Sequence, residues 1–137
     1  MGGHAMKAIV DSNVLIRATV RDNARQARAA TAILRDAEVI VVSLTAVCEF
    51  VAVLRNVYKI GREDVTAALR ALLDASNVEV NRPAVEAGMT VMNAGGDFAD
   101  GVIAYEGQWL GGETFVSFDK QAFPVAAVLG NKAKLLA

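Results

Sequence analysis

Residues 7–20, KAIVDSNVLIRATV, decide how the rest of the chain is read. KAIV is a short apolar run suited to a buried strand, and it stops at a carboxylate, Asp11. Ser12 and Asn13 then offer side-chain atoms to local backbone groups, so DSNVLIRATV continues as a helix start or a tight turn. The pattern returns near the other end, where TFVSF, residues 114–118, stops at Asp119. In an open α/β sheet ligands bind beyond the carboxyl ends of the strands, which places both acids at one sheet edge. Taken singly, each also has a plain alternative as a helix cap.

Working outward, Asp22 or Asn23 can cap a helix over ARQARAATAILRDA, residues 24–37, with Gln26 three positions after Asn23 as in a capping box. EVIVVS, residues 38–43, is the second strand, and Ser43 or Thr45 introduces a long apolar helix that stops near Lys59 and Gly61. REDVTAALRALLDA, residues 62–75, is amphipathic at helical period, and VEV, residues 78–80, is a β-branched strand segment. NRPAVEAGMTVMNAGG, residues 81–96, is a helix with Pro83 in its first turn, and DFADGVIAYEGQW, residues 97–109, is another. ETFVSF is a strand, DKQAFPVAAVLGNK a final short helix broken near Pro124, and KLL a terminal strand. The alternation predicts an α/β fold, with helices on both faces of a mostly parallel sheet whose apolar strands are buried on two sides.

A chain of 137 residues that is 54% hydrophobic and 21% charged suits one globular domain, expected over residues 7–136 after a flexible leader or expression remnant at 1–6. Arg17, Glu49 and Asp100 interrupt the apolar runs, so none reaches the length of a membrane span, and MGGHAMK has no signal-peptide core. The single cysteine, Cys48, cannot form an internal disulfide and reads as a buried, inert thiol in a reducing compartment; a soluble, cytoplasmic protein is expected. A formal charge of −1 argues against nucleic-acid binding by bulk electrostatics but leaves local binding open. Most of the five Phe residues read as core, and Trp109 as core or interface.

Glu49 is the only charged residue between Glu38 and Arg55, and its apolar neighbours leave little room for a solvent face. An ionised carboxylate buried there needs a cation, a hydrogen-bond network or a proton; the alternative is a narrow exposed strip. Asp97 and Asp100 fall three apart at a helix start, where Asp97 can cap and Asp100 stands too far in to do so. Carboxylates gathered in this way repel one another unless a cation neutralises them, and hard oxygen donors suit magnesium or manganese. Zinc is disfavoured because the only His lies in the leader, far from Cys48, and the same scarcity excludes a two-histidine mechanism and a Ser-His-Asp triad. What remains is a metal-activated water attacking phosphorus, with one or two ions.

Four blocks, VDSNVLIR, TAVCEFVAVLRNVYKIGREDV, GGDFADGVIAYEG and TFVSFDKQAF, occur in this order, and together they resemble the PIN-domain family over residues 7 to 136. More narrowly, the chain resembles the VapC toxin nucleases of VapBC-type toxin–antitoxin pairs. The resemblance implies a three-layer α/β/α fold around a central sheet of four or five strands, and a Mg2+- or Mn2+-dependent endoribonuclease. Asp11, Glu49, Asp100 and Asp119 match the family's core acids. Asp11 and Asp100 are then direct metal ligands, Glu49 and Asp119 complete the cage or orient waters, and Asp97, Asn13 and Ser117 support them. Gly101 departs from the usual Ala and is expected to soften the helix beside Asp100. Implied partners are RNA, a VapB-like antitoxin that supplies operator DNA binding, and a second copy of the chain. Arg17, Arg21, Arg25 and Arg28 recur at helical spacing and suit phosphates at the rim, with a solvated helix face as the alternative and a break expected near Asp22. The competing readings are a PIN nuclease of RNA processing or DNA metabolism, which small size disfavours, and a non-catalytic interaction domain, which retention of all four acids disfavours.

Overall fold

Every strand pairing among the described residues is parallel. The structure is a computed structural model that describes residues 6–137, so the expected leader, Met6 apart, lies outside the described residues. Chain contacts divide it into two compact units, one ending at Val80 and one spanning Asn81–Ala137.

In the first unit β1 (Lys7–Ile9) is followed by α1 (Ser12–Val20), α2 (Ala24–Asp36), β2 (Val39–Val41), α3 (Leu44–Asn56), α4 (Arg62–Asp74) and β3 (Val78–Glu79). The strands form one sheet in the order β1-β2-β3, with Ala8 beside Ile40 and Ile40 beside Val78. Parallel neighbours need a crossover, and the helical pairs α1–α2 and α3–α4 supply it. Helix starts follow the capping chemistry: Asn23 Oδ1 accepts from Gln26 N at 3.0 Å and Ser43 Oγ from Ala46 N at 3.1 Å. Leu15, Ile40, Val47, Leu54, Val65 and Leu69 are buried core. Asn77 Nδ2 donates to the carbonyls of Leu34 and Ala37, at 2.9 and 3.0 Å, and so ties the end of α2 to the entry of β3.

In the second unit α5 (Arg82–Asn93), α6 (Phe98–Trp109) and β4 (Phe115–Ser117) lead to a 3-10 helix (Lys120–Val125), α7 (Ala126–Leu129) and β5 (Ala133–Leu135). β4 and β5 form a two-stranded parallel sheet with Phe115 beside Ala133. Val91, Ala104, Val125 and Leu129 make a core cluster against which Phe115 and Val128 pack. Pro124 lies inside the 3-10 turn, which accounts for the expected break in the last helix.

The expected single sheet of four or five strands is corrected to two sheets, of three and two strands. Strands of two or three residues carry only a few ladder bonds each, and these are satisfied by neighbours within one unit. Burial of the strands on two sides is corrected as well. Burial alternates through each strand and the residue after it: Val10, just past β1, Ile40 in β2 and Val42, just past β2, are buried while Ile9 and Val41 are exposed. Of the five phenylalanines only Phe50 and Phe98 are buried; Phe118, just after β4, and Phe123, within the 3-10 turn, are exposed, as is Trp109. Cys48 is half-buried, not enclosed. No helix among the described residues is long and apolar enough to cross a membrane.

Candidate active site

The acids divide between the units. In the first unit Asp11 stands at the N-cap of α1, two residues beyond β1, and its carboxylate makes no cap hydrogen bond. It accepts only a long bond from Ser12 Oγ at 3.3 Å, so an exposed carboxylate is left facing solvent at a helix N-terminus, where the helix dipole favours negative charge. Asn13 is exposed one turn-position further in. Glu49 is also exposed, which corrects the expectation of burial. Thr45, Glu49, Ala52 and Asn56 recur at helical spacing and form the narrow solvent strip of α3, while Val47, Phe50, Val51 and Leu54 turn inward.

In the second unit Asp119 repeats the station of Asp11, two residues beyond a strand, but its carboxylate is used. Asp119 Oδ1 accepts from Gln121 N at 2.9 Å, and Ser117 Oγ accepts from the Asp119 backbone N–H at 2.9 Å. Ser117 thus fixes the backbone that aims Asp119. Asp97 caps α6, accepting from Ala99 N at 3.3 Å. Asp100, in the first turn of α6, is half-buried. Burial pushes its carboxyl above the ordinary aspartate value, and the negative charges of Asp97 and then Asp119 push the same way. Asp100 therefore feels the other two acids of its unit, and each cap bond at Asp97 and Asp119 leaves a second carboxylate oxygen for another partner.

Gly101 is placed by packing and not by helix propensity. A Cβ there would run into the Ala87 carbonyl oxygen and come within 2.8 Å of Gly88 Cα, so α5 and α6 touch backbone to backbone beside Asp100. A Cβ at Gly88 would meet the Phe98 ring at 2.6 Å. The expected softening of the helix is replaced by a close seam that only glycine permits.

The arginines are not one stripe. α1 stops at Val20, Arg21 takes a left-handed conformation at φ 60°, and α2 restarts at Ala24. Arg17 Nη1 donates to Asp22 Oδ1 at 2.9 Å, and the Tyr58 hydroxyl donates to Asp22 Oδ2 at 3.1 Å. Asp22, read in the sequence as a possible cap, is instead the anchor of Arg17. Arg21 donates to Thr31 Oγ1 at 3.1 Å, while Arg25 and Arg28 stand exposed on α2.

The donors are all hard carboxylate oxygens, which suits a divalent cation that keeps several of its waters. Among the described residues no three Asp, Glu, His or Cys side chains form a group able to hold a metal ion by themselves. The fit rests on the chemistry of the donors and on the charge crowding at Asp100.

The PIN-domain family model matches residues 8–129, and the chain belongs to the PIN-domain family, whose members are generally metal-dependent nucleases. The match runs through both units and takes in Asp11, Glu49, Asp97, Asp100 and Asp119. No curated protein matches the chain.

Proposed function

We propose that the chain is a Mg2+- or Mn2+-dependent endoribonuclease of the VapC toxin kind, controlled by a VapB-like antitoxin and acting as a homodimer. The observation that carries the nuclease reading is the match of residues 8–129 to the PIN-domain family, a segment that holds Asp11, Glu49, Asp100 and Asp119. Within that segment burial, and then the charges of Asp97 and Asp119, make the ionised form of Asp100 costly, and a divalent cation would relieve that cost. The toxin reading is supported by the order of the four sequence blocks.

When bound, one or two cations would lower the pKa of the attacking water and neutralise charge at the leaving oxygen. Asp11 and Asp100 would hold them, with Glu49 and Asp119 as further ligands or as acceptors that orient water, and Asp97, Asn13 and Ser117 in support. Asp11 is suited to this because its carboxylate has no structural duty, and Asp119 because Ser117 and Gln121 N fix its direction. The exposed Arg25 and Arg28 would meet phosphates of the strand, with Arg17, held by Asp22, facing the RNA beside them.

The test is expression of wild type and Asp11→Asn, each with and without the neighbouring open reading frame, followed by mapping of RNA 5′ ends. Wild type alone is expected to slow growth and create ends absent from Asp11→Asn. Normal growth with no new ends would sink the toxin assignment.

A further inference from the structure

Resting on the ribonuclease reading, we infer that the first unit carries a pocket for a single nucleobase of the RNA strand, formed by Asn13 and Arg17 of α1 and Gln26 of α2. The two helices enclose an open cavity of about 400 Å³. That volume lies at the lower end of the roughly 300–1,000 Å³ usual for small-molecule sites. Gln26, Ala29, Ala30 and Ile33 recur at i, i+3, i+4 and i+7, so one face of α2 forms the far wall, with a small-residue floor.

The polar members fit a base. Asn13 and Gln26 are carboxamides, each with a donor and an acceptor, the complement of a base edge, and neither side chain has a bonding partner among the described residues. Arg17 offers a planar guanidinium of the kind on which bases stack, and its bond to Asp22, itself held by Tyr58, keeps it at the wall. The floor of alanine and isoleucine accepts a flat apolar face.

Charge and position favour a nucleotide over a peptide. Residues 12–36 carry five arginines against two aspartates, and the exposed Arg25 and Arg28 can take adjoining phosphates. Asn13 lies two residues after Asp11, so a base seated here belongs to a nucleotide near the bond to be cut. The pocket would therefore set which base stands beside the cleavage position.

The full chain, isotope-labelled and without divalent cation, is titrated with each of the four ribonucleoside 5′-monophosphates and with ribose 5-phosphate, following the side-chain amide resonances of Asn13 and Gln26. At least one nucleotide is expected to move both saturably, and ribose 5-phosphate is not. Ala29→Trp, which fills the cavity, and Gln26→Ala, which removes one amide, are each expected to weaken that binding about tenfold. With manganese and a random-sequence RNA pool, wild type is expected to favour one base at a fixed offset from the cut, and Ala29→Trp to flatten that preference severalfold. The pocket is overturned if no nucleotide moves the amides, as for a groove that takes a protein segment, if ribose 5-phosphate moves them equally, or if both variants titrate like wild type. Amide shifts without any cleavage keep the pocket and overturn the nuclease. Cleavage whose base preference survives Ala29→Trp keeps the nuclease and overturns the pocket.

Discussion

Asp11 and Asp119 hold the same station in their respective units, two residues past a parallel strand and at the N-cap of a helix, yet their carboxylates are used differently. Asp119 accepts a backbone N–H at 2.9 Å, and Asp97 in the same unit does so at 3.3 Å. Asp11 accepts none, and Glu49 lies on an exposed strip. The first unit can lose Asp11 and Glu49 without losing a backbone cap bond, whereas in the second unit Asp97 and Asp119 cap helices and Asp100 is crowded. The same residue type thus stands free of backbone duty in one unit and caps helices in the other.

The largest effect that would break this comparison is on catalysis. Asp11→Asn and Asp100→Asn are each expected to lower RNA cleavage by at least about 100-fold, beyond what outer-shell contacts to a metal command. A residual rate within tenfold of wild type for either would remove that residue from the ligand set. Next is Gly101→Ala, expected to lower unfolding free energy by about 1–3 kcal/mol in urea titration, because backbone and not a movable side chain blocks the added methyl. An unchanged midpoint would show that the seam can part freely.

Smaller effects sharpen the contrast. Asp119→Ala is expected to cost about 1 kcal/mol through the lost cap and Asp119→Asn much less, whereas Asp11→Ala should stay within about 0.5 kcal/mol of wild type. Equal losses at positions 11 and 119 would contradict the division of roles. The smallest effect is a gain. Because the folded Asp100 carboxyl is raised, stability is fully present below the unfolded carboxyl value and falls as pH rises through the folded one. Asp100→Asn should therefore melt higher than wild type at neutral pH in chelator, with the advantage vanishing in acid. Magnesium should raise the wild-type melting temperature more than that of the variant.

Local features were legible in the sequence. Caps at Asn23, Ser43 and Asp97 need only a polar side chain within three positions of a helix start, and the structure places all three as caps. Features that depend on a distant neighbour were not legible. The reading of Gly101 weighed helix propensity and could not see Ala87 and Gly88 of α5 against it. Glu49 is a local case, in which the narrow exposed strip weighed as the alternative is the one α3 shows, through Thr45, Ala52 and Asn56. Asp22 was weighed as a cap because Tyr58, its partner, stands 36 positions away. The division into two sheets was hidden for a similar reason, since strand order is set by ladder bonds that no local pattern encodes.

The contact of Gly101 in α6 with the Ala87–Gly88 backbone of α5 leaves no rotatable group at that point to cushion an opening between the helices. A seam made of side chains can loosen by degrees as rotamers change; one made of backbone is shut or parted. The first turn of α6, and Asp100 with it, is therefore fixed as firmly as the two helices are held together. In amide hydrogen exchange the seam-facing amides of both helices should open as one event, with a common free energy, and not fray residue by residue.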